Sequence, residues 1–182
     1  MALQDAILTA LAHDESSGYD LAKAFDVSVA NYWTASPQQL YRELDKMEAA
    51  GLVRARVVPQ TKRPDKRVFR LTSAGRAALH EYTTRSPKPM AIRDELLVQL
   101  AALESGDDAA VRAHVADRGD AARAKLDYYL RAQEAMLDGR TEEEFLGAAD
   151  RVGQYLTLLR GINFEQENVR WARRVLVVLD AR

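Results

Sequence analysis

Cysteine is absent from this chain of 182 residues, which rules out disulfide scaffolding, thiolate nucleophiles and the common structural zinc sites. Histidine is nearly as scarce. His13, His80 and His114 show no spacing that would converge on a metal, and neither a Gly-rich phosphate loop nor a nucleophile elbow occurs. The acidic run Glu142-Glu143-Glu144 suits the positive end of a helix dipole better than catalysis. No metal, no cofactor and no enzymatic activity are therefore expected. No apolar run approaches the roughly 18 residues that span a bilayer, and the opening MALQDAILTALAHDESSGYD lacks the basic region and cleavage site of a signal peptide. The expectation is a cytoplasmic protein without membrane contact, held together by packing alone.

A large excess of one charge is also missing, the net being -1. Divided at Ser86, the chain carries +2 before and -3 after, a small asymmetry that hides a local one. Between Gly51 and Arg76 stand eight basic residues, Arg54, Arg56, Lys62, Arg63, Lys66, Arg67, Arg70 and Arg76, against Asp65 alone. A basic stripe of this kind is the electrostatic footprint of phosphate binding, whatever the net charge.

What is present is a succession of capped, periodic segments. Leu3, Ile7, Ala10 and Leu11 predict a first helix ending near His13. Ser17 with Asp20 caps a short second helix that carries Leu21 and Phe25. Ser36-Pro37-Gln38-Gln39 is a capping box with proline at the first helical position. It opens a third helix whose buried stripe is Leu40, Leu44 and Met47, and which Gly51 closes in the left-handed conformation. The period then falls to about two over Leu52–Val58 and again over Lys66–Leu71, a β-hairpin with a polar, basic tip at 59–65. Thr72 caps a fourth helix from Ser73 to about Tyr82. Ser86-Pro87-Lys88-Pro89 cannot continue it and reads as a linker.

Beyond the linker all is helix. Ile92, Leu96, Leu100 and Leu103 line the first, and a second runs from about Asp107 to Leu137 with Val111, Val115, Ala122, Leu126 and Tyr129 on its apolar side. Thr141 with Glu144 caps a third, where Phe145, Ala149, Val152, Leu156 and Leu159 are spaced four, three, four, three, the rhythm of a coiled coil. A break is expected near Gly161–Asn163, followed by a last helix with Val169, Ala172, Leu176 and Leu179. The fold class that follows is mainly α with a small β-hairpin. An N-terminal winged helix-turn-helix over 1–85 joins, through a linker at 86–90, a helical dimerisation domain over 91–182.

Three helices followed by a basic hairpin is the element order of a winged helix, whose third helix enters the major groove of double-stranded DNA. Base and phosphate contacts are expected from Ser36, Gln38, Gln39, Tyr41, Arg42 and Lys46, since Gln pairs with adenine and Arg with guanine. The tip residues Lys62, Arg63, Lys66 and Arg67 would grip the backbone. A winged helix used only for protein contact stays open as the alternative. Phe145, Val152, Leu156, Leu159, Val169, Leu176 and Leu179 are the candidate dimer interface, unless the stripe packs wholly inside one chain.

The runs Gly18-Tyr19-Asp20-Leu21, Trp33, Ser36, Leu40-Tyr41-Arg42-Glu43-Leu44, Glu48-Ala49-Ala50-Gly51-Leu52-Val53 and Phe69-Arg70-Leu71-Thr72-Ser73-Ala74-Gly75-Arg76 resemble the PadR-type transcriptional regulators. Leu158-Leu159-Arg160-Gly161-Ile162 followed by Trp171 resembles the end of that family's helical C-terminal domain. Phe69 is a departure, because members often carry tyrosine there. The resemblance implies a homodimer on a roughly palindromic operator, usually repressing, and released by a small aromatic or hydrophobic effector. Trp33, Tyr128, Tyr129 and Trp171 are the aromatic residues that could line such an effector site.

Overall fold

In the computed structural model residues 3–25, 35–60, 65–89 and 93–182 are described. The chain divides into two compact units, Met1–Pro89 and Met90–Arg182.

The first unit contains α1 (Leu3–Ala10), β1 (Ser16–Ser17), α2 (Gly18–Ala24), α3 (Pro37–Ala49), β2 (Val53–Val58), β3 (Lys66–Leu71) and α4 (Ser73–Thr84). Its core is the set that the periodicities select: Ile7, Leu8, Leu11, Leu21, Phe25, Leu40, Leu44, Met47, Val53, Phe69 and Leu71. The starts of α2, α3 and α4 follow from their caps. The Ser17 hydroxyl accepts the Asp20 amide, Ser36 and Gln39 form the reciprocal capping box, and the Thr72 hydroxyl accepts the Gly75 amide at 3.0 Å. Such bonds satisfy amides that a helix cannot satisfy itself. Gly51 ends α3 at φ 71°, a conformation that glycine adopts without a Cβ penalty.

The sheet has three strands, not the two of a hairpin. Their order is β1-β3-β2, all antiparallel, with Ser16 opposite Phe69 and Val53 opposite Leu71. The strand formed by Ser16 and Ser17 has no apolar alternation to announce it, because β3, not its own side chains, supplies its partners.

At the root of the wing two crossings meet. The Thr72 amide donates to the Leu52 carbonyl at 3.1 Å, and the Thr72 hydroxyl lies 2.6 Å from the Gly51 carbonyl oxygen. Gly75 abuts the same Leu52 carbonyl so closely that a Cβ there would collide with its oxygen.

The second unit contains α5 (Glu95–Ala101), a 3-10 turn (Leu103–Ser105), α6 (Asp108–Leu137), α7 (Glu142–Ala148) and α8 (Gly153–Asp180). Helices α6 and α8 are antiparallel: Arg112 pairs with Asp180, Lys125 with Glu165, and Gln133 with Tyr155. Tyr155, Ile162, Glu165 and Ala172 of α8 are buried, with Leu158, Val169, Leu176 and Leu179 half-buried. Together they run three, four, three, four along the helix, a heptad seam. Facing them are Val111, Val115, Gly119, Ala122 and Tyr129 of α6, while Leu126 is half-buried.

Two expectations for this unit are corrected. Helix α8 is continuous through Gly161–Asn163, where a break was expected, and the break lies instead at residues 149–152. Gly161 is buried, so it permits close packing and does not end a helix. The stripe Phe145, Ala149, Val152, Leu156 and Leu159 therefore does not lie on one helix. The break has a packing cause. A continuous helix would set residues 145 and 155 about 15 Å apart along its axis, whereas the extended turn at Ala149 brings their rings to 5.1 Å.

Two glycines test how each unit is packed. Gly75→Ala should lower stability by about 1–3 kcal/mol or more, the range for overpacking, because the atom in the way is backbone. Gly147→Ala, in α7 with nothing within 4 Å of the added Cβ, should be neutral or stabilise by up to about 1 kcal/mol. Urea unfolding of both variants checks the pair.

Candidate nucleic-acid interface

Helix α3 is amphipathic in a way that leaves one face available. Leu40, Leu44 and Met47 point into the core. Gln38, Gln39, Tyr41, Arg42, Asp45 and Lys46 are exposed, as are Ser36 and Pro37 just before and at the helix start. At 100° per residue Gln38, Arg42 and Asp45 fall within about 60° of arc, opposite the buried stripe.

These side chains are not equally free. Gln39 has its side-chain Oε1 occupied by the Ser36 backbone amide at 2.9 Å, while its backbone amide donates to Ser36 Oγ at 3.2 Å. The side-chain oxygen is thus part of the cap, and a bidentate pairing of Gln39 with adenine, which needs that oxygen as well as Nε2, would compete with the box. Tyr41, 43% exposed, lays its ring directly over Gly18 at the start of α2, where a Cβ would clash with it. Lys46 makes a loose pair with Glu43 at 3.6 Å. Gln38 and Arg42 have no hydrogen-bond or ion-pair partner among the described residues.

The wing carries more pairing than its basic count suggests. Lys66 Nζ donates to Asp20 at 2.8 Å, and that hydrogen bond is the main reason why the Asp20 carboxyl is held below its ordinary range. Arg67 donates to Asp45 at 2.9 Å and to Glu48 at 2.7 Å, and its guanidinium lies 5.0 Å from the centre of the Phe69 ring. The bond to Asp45 is the largest cause raising the Arg67 pKa above its usual value. Arg56 is paired with Glu15, whose carboxyl it holds low. Arg54 and Arg70 stand directly opposite each other across the ladder, both exposed, a placement that like charges disfavour. Lys62 and Arg63 lie outside the described residues.

In the second unit the expected effector residues separate. Tyr128, 37% exposed, and Tyr129, buried, meet edge to face at 5.8 Å. Burial is the largest cause raising the Tyr129 pKa. Trp171 packs against the cluster of Leu96, Val115 and Ala172. The antiparallel register sets Trp171 about 15 Å from Tyr129 along the seam, too far for one small aromatic molecule to touch both. Trp33 lies outside the described residues.

The candidate interface residues are also unequal. Phe145 is buried against Tyr155 within one chain. Val152, Leu159, Val169, Leu176 and Leu179 are half-buried, and Leu156 is 51% exposed. Val169 and Leu176 border a shallow groove of about 200 Å³ along α6 and α8.

Two ionic groups escaped notice in the sequence. Glu165, 5% exposed, sits in the seam with Lys125 Nζ at 3.5 Å and the Asn168 amide at 2.9 Å. Asp94 caps α5 and takes a bidentate pair from Arg118 at 2.9 and 3.1 Å, which holds its carboxyl below the usual range. A lone carboxylate at a heptad position was the available signal for Glu165. Among the described residues no cluster could hold a metal ion, and no helix is long and apolar enough to cross a membrane.

Residues 7–81 match the model of the transcriptional regulator PadR-like family, and residues 92–180 match that described as virulence activator alpha C-term. A Mycobacterium tuberculosis protein named as a probable transcriptional regulator is 35% identical over 192 residues, covering all of both chains. The chain belongs to the PadR-like family of transcriptional regulators. Its relatives are regulators and not enzymes, in agreement with the missing catalytic signatures. The mainly α fold with a small sheet is theirs as well. The crystal structure of Bacillus subtilis PadR in complex with operator DNA is 26% identical, with a TM-score of 0.80 over 98% of this chain and 99% of that one. The same protein in complex with p-coumaric acid gives a TM-score of 0.73 at 26% identity, covering 99% of each chain. The Vibrio cholerae virulence activator AphA is 30% identical with a TM-score of 0.71, again over 99% of each chain.

The capping box at the start of α3 can be probed directly. Ser36→Ala should cost about 1 kcal/mol, and Ser36→Asp should recover most of that, because aspartate caps as well as serine. Denaturant midpoints of the two variants against the parent chain give the comparison.

Proposed function

We propose that the protein is a sequence-specific DNA-binding repressor that acts as a homodimer on a roughly palindromic operator. The carrying observation is the outward face of α3, where Gln38 and Arg42 are exposed and unpartnered among the described residues on a helix fixed by its capping box. Amide and guanidinium groups so placed are suited to bidentate pairing with adenine and guanine edges. The operator-bound state of B. subtilis PadR supports the reading, as does the naming of that protein as a negative transcriptional regulator, 26% identical over 98% of this chain.

In this reading residues 1–85 bind DNA, 86–90 link and 91–182 dimerise. Ser36, Tyr41 and Lys46 flank the base-reading pair, and Lys62 and Arg63 at the wing tip grip the phosphates. The dimer covers apolar surface that one chain leaves open, including Leu156, Phe164, Val177 and Val178 of α8, because a protein alone rarely exposes so much along one helix. Two-fold symmetry would then set two reading helices about one turn of duplex apart. Release by a small aromatic effector is proposed on the precedent of the p-coumaric acid complex, with Tyr128 the candidate contact best exposed in the second unit. The protein works in the cytoplasm, where it meets the chromosome.

Selection of bound fragments from the host genome, followed by a reporter assay, tests the whole reading. Bound palindromes that lower reporter output support it. Raised output would make the protein an activator, and failure to retain any duplex at low salt would favour a protein-contact module. Replacing Lys62 and Arg63 together by alanine should weaken operator and random duplex alike. The slope of log affinity against log salt should flatten by about 1.8, two phosphate contacts at roughly 0.9 each. Gln38→Ala or Arg42→Ala should reduce discrimination between operator and random duplex by about 1–3 kcal/mol, read by competition binding at constant salt.

A further inference from the structure

One side chain of the wing, Arg67, reaches two carboxylates of α3. Side chains alternate along β3, so Arg67 leaves the strand on the same face as the core residues Phe69 and Leu71. Its Nη1 donates to Asp45 and its Nη2 to Glu48, both on α3. Glu48 has a second attachment: its Oε1 accepts the Ala55 amide of β2 at 3.0 Å. A planar guanidinium can bridge two carboxylates in this manner, and a single ammonium cannot do so with the same geometry.

Asp45 is the acidic member of the face that also bears Gln38 and Arg42. A bare carboxylate there would repel phosphate, and Arg67 neutralises it. Two of the five guanidinium N–H groups are donated to α3, so the orientation of the fork is set by Asp45 and Glu48 and not by a phosphate.

We propose that Arg67 is a positioning residue and not a phosphate ligand: it cancels the charge of Asp45 and, with Glu48, seats the wing on α3, thereby setting discrimination between sites. The inference rests on the DNA-binding reading above.

The test measures binding to a selected operator and to a random duplex across a range of salt, for the wild type, R67Q, R67K and D45N/R67Q. Thermal unfolding of each variant establishes that it is folded. R67Q should leave the salt slope on random duplex unchanged while the operator-to-random ratio falls about tenfold, the scale of a lost base contact. R67K should not restore that ratio, since a point-like ammonium lacks the planar fork that spans Asp45 and Glu48 in this geometry. D45N/R67Q should bind random duplex more tightly than R67Q, because the uncompensated carboxylate is gone.

A slope that flattens by about 0.9 in R67Q with the ratio intact would make Arg67 an ordinary phosphate contact and overturn the inference alone. Full rescue by R67K would also overturn it. Wild-type protein that binds neither duplex overturns the DNA-binding reading and this inference with it.

Discussion

The carbonyl of Leu52 is the point on which the first unit turns. It sits where α3 becomes β2, it accepts the Thr72 amide where β3 becomes α4, and it faces Gly75 at a distance that leaves no room for a Cβ. One backbone group therefore ties both ends of the wing to the end of α3. Gly51 must take a left-handed conformation to bring it there, and Thr72 closes the junction from the side by bonding the Gly51 carbonyl and the Gly75 amide. The sequence Leu71-Thr72-Ser73-Ala74-Gly75 is thus a backbone requirement: a capping hydroxyl followed, three residues on, by the one residue small enough to pass the carbonyl.

That junction also explains why the first unit was so readable. Its elements start at side chains whose capping chemistry is local, Ser17, Ser36 and Thr72, and local chemistry can be read from spacing alone. Strand β1 was missed because its evidence is not local: Ser16 and Ser17 become a strand only through pairing with Phe69 and Val68. The seam of the second unit was misread for a related reason. The spacing of Phe145, Ala149, Val152, Leu156 and Leu159 matches a heptad as well as that of Tyr155, Leu158, Ile162, Glu165 and Val169 does, and a count of apolar residues favours the first set because Glu165 interrupts the second. Gly161 added to the error, since a glycine buried against a neighbouring helix and a glycine that ends a helix are the same letter.

The candidate interface shows the same limit in electrostatic form. Eight basic residues between Gly51 and Arg76 mark the segment correctly as cationic, but the count contains no information on partners. Glu15 lies 41 positions from Arg56, and Asp20 lies 46 from Lys66. These contacts exist only after folding. Exposed ion pairs of this kind stabilise little, because water and salt screen them, so little free energy is needed to open them. Arg67 differs in making two bonds and in lying over the Phe69 ring. The pairing thus sorts a run of similar cations by how easily each could leave its partner.

In the second unit the polar groups of the seam fix what the apolar ones cannot. Leucines and alanines on α6 and α8 would pack almost as well after a slip of one turn, about 5.4 Å. Lys125 with Glu165, Gln133 with Tyr155, and the close approach of Gly119 to Ala172 at 3.0 Å for an added Cβ hold in one register only. A slip would leave Glu165 buried without its cation, and an uncompensated buried charge costs far more than the seam gains from any alternative packing. Buried polar residues often select one register of a coiled coil at some cost in stability. Here they act within one chain, so that α6 and α8 form a rod of fixed length and not a pair of helices free to slide.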